Sequence, residues 1–123
     1  MSTVLVVDDE RDVRQLLSTY LNLQGFSVIT ASNGREALTR LGEVKPCVIL
    51  LDLMMPVMDG LEFRKHQQQD PRWSAIPVVC LSAKHDAPTI ARSMNLSECI
   101  CKPFDIEHVA DLVRRHCASG GSC

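Results

Sequence analysis

Short apolar runs alternate with longer amphipathic stretches from one end of the chain to the other. Residues 4–7 and 48–51 are runs of branched aliphatic side chains. An unbroken run of this kind is typical of a strand that is buried on both faces, as in a parallel sheet. The stretch 11–23 differs, because its apolar residues recur at intervals of three and four and so predict an amphipathic helix.

These two patterns together predict five repeats of a strand followed by a helix. Strands are predicted over residues 3–7, 26–30, 47–51, 76–81 and 98–101, and helices over 11–23, 36–42, 61–69, 87–94 and 105–116. Such alternation in one domain indicates a doubly wound parallel sheet with helices on both faces. Right-handed crossovers restrict its topology, and the common strand order is 2-1-3-4-5, with ligands bound beyond the ends of strands one and three.

Length and charge narrow the class of protein. A chain of 123 residues is long enough for one domain with its own hydrophobic core. Its net charge of −2 argues against a dedicated nucleic-acid-binding protein, which is usually basic. The sequence has neither an apolar stretch of roughly 18 residues nor the pattern of a secretory signal. We therefore expect a cytoplasmic protein that binds no nucleic acid or membrane, with a domain over 1–117 and a flexible tail or linker over 118–123.

Six cysteines raise the question of disulfides or a zinc site. The sequence has no C-x-x-C pair, and the spacing Cys99-x-Cys101 is a poor match to structural zinc. Four cysteines lie in or beside strand-like runs, where a thiol acts as a small hydrophobic group: Cys47, Cys80, Cys99 and Cys101. In a reducing cytoplasm we expect the thiols to stay reduced, and we expect Cys117 and Cys123 to be exposed.

Charged residues follow three of the predicted strands at the point where each strand ends. Asp8 and Asp9 follow the first strand. Asp52 follows the third, and Lys102 follows the fifth. Parallel strands would bring these side chains to one edge of the sheet, where crowded carboxylates repel one another unless a cation lies between them. Hard oxygen ligands suit Mg²⁺, so this edge is predicted to hold a metal and to receive a phosphoryl group. Each acid could instead cap a helix, a role that is compatible with metal binding.

Five short motifs occur in a fixed order along the chain. They are Val-Asp-Asp-Glu at 7–10, Asn-Gly-Arg-Glu-Ala-Leu at 33–38, Asp-Leu-Met-Met-Pro-Val-Met-Asp-Gly at 52–60, Leu-Ser-Ala at 81–83 and Lys-Pro-Phe at 102–104. With these motifs the chain strongly resembles the receiver domain of two-component response regulators, over about residues 3–117. The resemblance implies the flavodoxin-like (βα)5 three-layer sandwich of CheY-like proteins.

The resemblance also implies how a metal and a phosphoryl group are bound. Asp52 corresponds to the phosphoacceptor, whose carboxylate attacks the phosphorus of a phosphohistidine. Asp9 and Asp52 correspond to direct Mg²⁺ ligands, with Asp8 acting mainly through metal-bound water. The third protein ligand corresponds to the main-chain carbonyl of Met54, a position at which any side chain is allowed.

Two further residues correspond to groups that contact the phosphoryl oxygens. Ser82 matches a hydroxyl that bonds one such oxygen, and Lys102 matches a lysine that pairs with the acceptor carboxylate and then with the phosphoryl group. The chain would therefore catalyse only its own phosphorylation and slow dephosphorylation, and it is not expected to be an enzyme acting on other substrates. The implied partners are a sensor histidine kinase or phosphotransfer protein and a downstream effector protein or a missing output domain.

The output step is where the sequence departs from the family pattern. The family carries Tyr or Phe three residues before the lysine, and this chain has Cys99 there. The resemblance implies a phosphorylation-dependent shift, and a phosphorylation-dependent dimer, at the face formed by the fourth and fifth predicted helices and the fifth strand. Cys99 favours an alternative, a phosphate-independent interaction module. A third possibility, a hydrolase of small phosphate esters, would need a substrate cap or an acid two residues after Asp52, where the chain has Met54.

Overall fold

The protein folds around a five-stranded parallel sheet. The structure is a computed structural model that describes residues 2–82, 96, 98–102 and 104–122, and for residues 82, 101 and 118–122 it describes the backbone alone. The elements in this part of the chain are β1 (Thr3–Val7), α1 (Arg11–Leu23), β2 (Ser27–Ala31), α2 (Gly34–Leu41), β3 (Val48–Asp52), α3 (Gly60–Gln69), β4 (Val78–Ser82), β5 (Glu98–Cys101) and α4 (Ile106–Ser122). The strand order is β2-β1-β3-β4-β5, which confirms the predicted topology.

The bounds of most elements agree with the sequence pattern within two residues. β1, α1 and β5 begin and end where they were predicted. The fourth predicted helix, 87–94, lies outside the described residues, so α4 is the fifth predicted helix. Its predicted end at residue 116 was wrong, because the helical backbone continues to Ser122. Glycines cost a helix only about 1 kcal/mol each, and extending an existing helix adds a hydrogen bond per residue. The division between 1–117 and 118–123 stays a prediction.

Short polar side chains fix the starts of the two helices that follow β2 and β3. Asn33 caps α2, since its side-chain oxygen accepts from the Glu36 N–H at 2.8 Å. The Glu36 carboxylate in turn accepts from the Ser32 N–H at 3.0 Å. Asp59 caps α3 by accepting from the Glu62 N–H at 2.9 Å. These caps satisfy backbone donors that have no partner inside the helix, and they set where the loops of the sheet edge end.

The hydrophobic core is divided by the sheet into two clusters. Val4 and Val6 face a cluster that includes side chains of α1 and α4. Leu5 and Val7 face the other cluster, to which α2 and α3 contribute. All four residues are fully buried, which explains why β1 reads as an unbroken apolar run and not as an alternation. In the described part of the chain, no helix combines the length and apolarity required to cross a membrane.

A disulfide joins Cys47, just before β3, to Cys117 in α4. The prediction that Cys47 is a reduced thiol and Cys117 an exposed one was therefore wrong. Packing of α4 against the sheet buries Cys117, which is 4% exposed, and brings its Cα within 5.2 Å of that of Cys47. That separation lies within the range that a disulfide requires. The two residues are 70 positions apart in sequence, so only the fold reveals the pairing.

Candidate functional site

Three carboxylates meet at the edge of the sheet where β1 and β3 end. Val7 pairs with Leu51 in the parallel register, so the residues that follow these two, Asp8 and Asp52, lie side by side. Asp8 is fully buried, Asp52 is 4% exposed, and Asp9 is exposed. One carboxylate oxygen from each of the three residues lies within 4.8 Å of the others. The predicted convergence of these acids is confirmed.

Lys102 reaches the same cluster from the end of β5. Its Nζ lies 2.8 Å from Asp8 Oδ2, 3.1 Å from Glu10 Oε1 and 3.7 Å from Asp52 Oδ2. The side chain is only 13% exposed, so its ammonium group is largely withdrawn from water. A single ammonium group at these distances offsets only part of the negative charge of the neighbouring carboxylates, so the cluster as a whole stays negative.

Backbone N–H groups and a guanidinium hold the two buried acids in position. The Glu10 N–H donates to Asp8 Oδ1 at 2.9 Å. The Met54 N–H donates to Asp52 Oδ1 at 3.2 Å. Arg14 Nη1, one turn into α1, donates to the Asp8 carbonyl at 2.7 Å. Each carboxylate therefore has one oxygen fixed by the backbone and its other oxygen turned toward Lys102.

The electrostatics of the cluster favour binding a cation. Burial, and next the negative charge of Asp8, raise the pKa of Asp52 from 3.8 to about 7, while the Met54 N–H and Lys102 oppose the rise. Burial alone would lower the pKa of Lys102, but the hydrogen bond to Asp8 and the surrounding negative charges outweigh it and raise that pKa. Both shifts have the same physical origin, an excess of negative charge in a place with little water.

The donor set fits a hard divalent cation. The three carboxylates supply only oxygen, and the exposed Asp9 leaves the cluster open to solvent on one side. Mg²⁺ prefers oxygen ligands and keeps part of its water shell, so an open cluster with few protein ligands suits it. Among the residues that the structure describes, it is the only place where three or more His, Cys, Asp or Glu side chains could hold one metal ion together.

The loop after Asp52 is closely packed at one point and strained at another. A Cβ added to Gly60 would lie 2.8 Å from the Asp52 carbonyl oxygen, so only glycine allows this approach. Val57 has φ of 68° and lies at the centre of a tight turn in which the Met58 N–H donates to the Pro56 carbonyl at 2.7 Å. Positive φ is costly for a β-branched residue, and Val57 is 74% exposed.

A contact from α2 holds the same loop from the other side. The Gly34 N–H donates to the Met58 carbonyl at 2.8 Å. A Cβ on Gly34 would lie 2.8 Å from both the Met58 carbonyl oxygen and its Cγ. The loop that follows β3 is thus fixed to α2 as well as to α3.

The two remaining predicted site residues, Ser82 and Met54, lie close to the acid cluster by the position of their backbone. Ser82 ends β4 and pairs in register with Cys101, the residue before Lys102, so its strand ends beside the cluster. The main chain of Met54 contacts Asp52 through its N–H, and the role of its carbonyl stays a prediction. Sequence reasoning missed Glu10 and Arg14 as members of the site. The run Asp-Asp-Glu was a signal for Glu10, whereas nothing in the pattern of α1 marked Arg14.

Comparisons with known proteins agree on one family for this chain. The model of the response regulator receiver domain matches residues 4–114. The regulatory protein AtoC of Escherichia coli is 35% identical over 121 residues, covering 94% of this chain and 25% of that protein. The CpxR homologue of Haemophilus influenzae, a transcriptional regulatory protein, is 37% identical over 121 residues, covering 94% of this chain and 52% of that protein. The chain thus spans between a quarter and about half the length of these relatives.

Solved structures agree with the sequence matches. The chemotaxis response regulator CheY4 of Vibrio cholerae superposes with a TM-score of 0.86 at 31% identity, covering 94% of this chain and 98% of that one. The response regulator TrrA of Thermotoga maritima, solved in complex with Mg²⁺ and BeF, superposes with a TM-score of 0.83 at 28% identity, covering 94% and 99%.

Proposed function

Since this chain belongs to the response regulator receiver domains, we propose that Asp52 accepts a phosphoryl group from a phosphohistidine in a Mg²⁺-dependent reaction. The observation that carries the proposal is the meeting of three carboxylates within 4.8 Å of one another, with the Lys102 ammonium 3.7 Å from Asp52. The phosphoryl donor would be a sensor histidine kinase or a phosphotransfer protein.

In the proposed reaction a carboxylate oxygen of Asp52 attacks phosphorus, and the bond between phosphorus and the donor imidazole nitrogen breaks. The donor histidine, protonated at its other ring nitrogen, leaves as a neutral imidazole, and Asp52 becomes an acyl phosphate. Such transfers depend mainly on positioning and on neutralising the phosphoryl oxygens. The Met54 N–H, which donates to Asp52 Oδ1, would orient the nucleophile.

Asp8, Asp9, Asp52 and the Met54 carbonyl would hold Mg²⁺, which supplies positive charge to the phosphoryl oxygens. Lys102 would supply a second positive charge by exchanging part of its contact with Asp8 and Glu10 for a phosphoryl oxygen. The Ser82 hydroxyl would donate to another oxygen. These roles follow the family's motif residue by residue, and the position of Lys102 supports its part.

The acyl phosphate would act as a reversible signal. Phosphorylation would shift a pre-existing equilibrium at a face that includes β5 and α4, and this face would bind an effector or a second copy of the chain. The fourth helix that the sequence predicts for the same face, over 87–94, lies outside the described residues. The named relatives are regulators longer than this chain, which supports an output domain in the same polypeptide or an effector partner. We propose no nucleic-acid contact by this domain itself.

One observation favours a second function, a receiver that acts as an interaction module without phosphate. Cys99 occupies the position of the family's aromatic switch residue, and its sulfur lies 3.2 Å from that of Cys80 on the α2 and α3 side of the sheet. A side chain of this size cannot fill the space of an aromatic ring. A module of this kind would bind its partner equally well with and without the acyl phosphate.

The decisive experiment measures beryllofluoride binding in the presence of Mg²⁺, together with phosphorylation by a small acyl phosphate followed by intact mass. The proposal expects the added mass of one phosphoryl group and its loss in Asp52→Asn. Asp59→Asn is the matched control, because asparagine caps a helix as well as aspartate does, and it should be phosphorylated normally. Absence of the added mass in the folded wild-type protein with Mg²⁺ would leave the interaction module as the better account.

A further inference from the structure

Two cysteines on neighbouring strands are in sulfur-to-sulfur contact. Cys80 in β4 and Cys99 in β5 are direct partners in the parallel register. The Cys99 thiol donates to the Cys80 sulfur at 3.2 Å. Both belong to the cluster on the α2 and α3 side of the sheet, so the two side chains point the same way from adjacent strands.

The two thiols differ in their access to solvent. Cys80 is fully buried, whereas Cys99 is half-buried. A small dissolved reagent can therefore reach Cys99 first, and Cys80 can react only with what is already attached to Cys99. This arrangement provides an attacking thiol and a resolving thiol, the two parts that thiol–disulfide exchange requires.

The distance between the sulfurs is small enough to close without moving the strands. Neighbouring strands lie about 4.8 Å apart, which is inside the Cα separation of about 4.4–6.8 Å that disulfides span. A disulfide bond is about 2.0 Å long, so the sulfurs at 3.2 Å must approach by about 1.2 Å (3.2 minus 2.0). Rotation about the side-chain torsions can provide most of this movement.

We propose that Cys80 and Cys99 form a reversible disulfide on reaction with a low-molecular-weight disulfide such as oxidised glutathione. The Cys99 thiolate attacks one glutathione sulfur, which forms a mixed disulfide and releases one glutathione thiolate. The buried Cys80 thiol attacks the Cys99 sulfur, and its proton passes to the second glutathione thiolate as that thiolate leaves. Two electrons pass from the protein to the reagent, which becomes two molecules of reduced glutathione.

The bond would join β4 to β5 directly behind the functional edge. Cys80 lies two residues before Ser82, and Cys99 lies three residues before Lys102. The site is therefore distinct from the acid cluster, and its chemistry does not depend on the proposed phosphorylation. It also differs from the Cys47–Cys117 disulfide, which lies before β3 and links that segment to α4.

Peptide mapping of the whole chain tests the proposal. The folded protein is incubated with increasing ratios of oxidised to reduced glutathione, quenched in acid, alkylated and digested with trypsin. Cleavage after Lys and Arg, but not before Pro, places Cys80 in the peptide 73–84 and Cys99 in the peptide 93–114. Cys47 and Cys117 fall in the peptides 41–64 and 116–123, so their disulfide does not interfere.

The expected result is a linked pair of peptides 73–84 and 93–114 that grows with the glutathione ratio and disappears with dithiothreitol. Cys99→Ser should lose the linked pair completely, whereas Cys101→Ser, which alters the other cysteine of the same peptide, should retain it. The Cys101→Ser protein decides the matter even if Cys99→Ser does not fold, because peptide 93–114 then contains Cys99 as its sole cysteine.

Two outcomes would overturn the proposal. In the first, Cys99 carries glutathione while Cys80 remains alkylated, which means that the second thiol does not resolve the mixed disulfide. In the second, the linked pair persists in folded Cys99→Ser, which assigns the bond to Cys101. Either result would leave the sulfur contact as ordinary core packing.

Discussion

The two ends of β3 are held in opposite ways. Before the strand, Cys47 is bonded covalently to Cys117 of α4, and both cysteines pack in the hydrophobic cluster on the α1 and α4 side of the sheet. At its end, Asp52 lies among other acids in a place where burial raises its pKa to about 7. β3 thus joins a stabilised end to a destabilised one, which indicates that the acid cluster lowers the stability of the fold and depends on the remainder of the domain.

The largest expected effect on stability comes from the stabilised end. Reduction of the Cys47–Cys117 disulfide should lower the free energy of unfolding by about 2–4 kcal/mol, because it releases a long loop in the unfolded chain; the two cysteines are separated by 70 residues. Urea unfolding with and without dithiothreitol measures the difference. Cys117→Ser should be as unstable as the reduced protein and insensitive to the reductant. Equal midpoints for oxidised and reduced wild type would contradict the comparison.

A second prediction concerns the tight contact at the other end. Gly60→Ala should destabilise the protein by about 1–3 kcal/mol, because the new Cβ would lie 2.8 Å from the Asp52 carbonyl oxygen. Displacement of the Asp52 backbone by the new Cβ should also weaken beryllofluoride binding. Gly42→Ala is the matched control, since its Cβ would meet nothing nearer than 3.4 Å and alanine is the better helix former. Similar losses in both variants would mean that the contact at Gly60 has no special effect.

A third prediction uses the raised pKa of Asp52, which is about 7 in the folded protein against 3.8 as its ordinary value. Between these two pH values the folded state binds a proton that the unfolded state has lost, so the free energy of unfolding falls as pH rises and levels off above pH 7. After allowance for solvent screening the loss is on the order of 2 kcal/mol.

Asp52→Asn removes the charge that causes this loss. In urea unfolding at pH 5 and pH 8 without Mg²⁺, the variant should lose less stability than the wild type between the two pH values. Excess Mg²⁺ should restore the wild type at pH 8 and have a smaller effect on the variant, because a ligand that binds the folded state stabilises it. Parallel pH profiles for the two proteins would show that the acid cluster is not a source of instability.

The smallest expected effect lies in the loop. Val57 has φ of 68°, a conformation that glycine adopts without cost. Val57→Gly should therefore raise the free energy of unfolding by about 1 kcal/mol, even though it removes an apolar side chain. Val57→Asn should raise the free energy of unfolding by a smaller amount, since asparagine tolerates positive φ, and Val57→Ala should raise it little. Thermal unfolding of the three variants gives the ranking, and a loss of stability in Val57→Gly would contradict it.

The parts of the molecule that sequence could predict are those set by local pattern. The apolar runs predicted the strands, and the residues after them predicted the meeting of Asp8, Asp9, Asp52 and Lys102. The caps at Asn33 and Asp59 are likewise local, because capping depends on residues three positions apart. In each case the information is contained in neighbouring residues or follows directly from the topology of a parallel sheet.

What sequence could not predict depends on packing between distant segments. The Cys47–Cys117 bond requires the angle at which α4 crosses the sheet, and neither cysteine lies in a diagnostic spacing. The contact of Cys80 with Cys99 requires the register of β4 on β5. The Arg14 contact with the Asp8 carbonyl requires the rotation of α1 about its axis. None of these quantities can be read from hydrophobic periodicity.

The contact between Gly34 and Met58 has a consequence for how this sequence can vary. Because the Met58 carbonyl already accepts the Gly34 N–H, and any Cβ there would overlap that same oxygen, the first residue of α2 and the backbone of the loop after β3 form a single unit. In a combinatorial library that randomises both segments, folded members should keep glycine at position 34, while the side chain at 58 remains open to exchange.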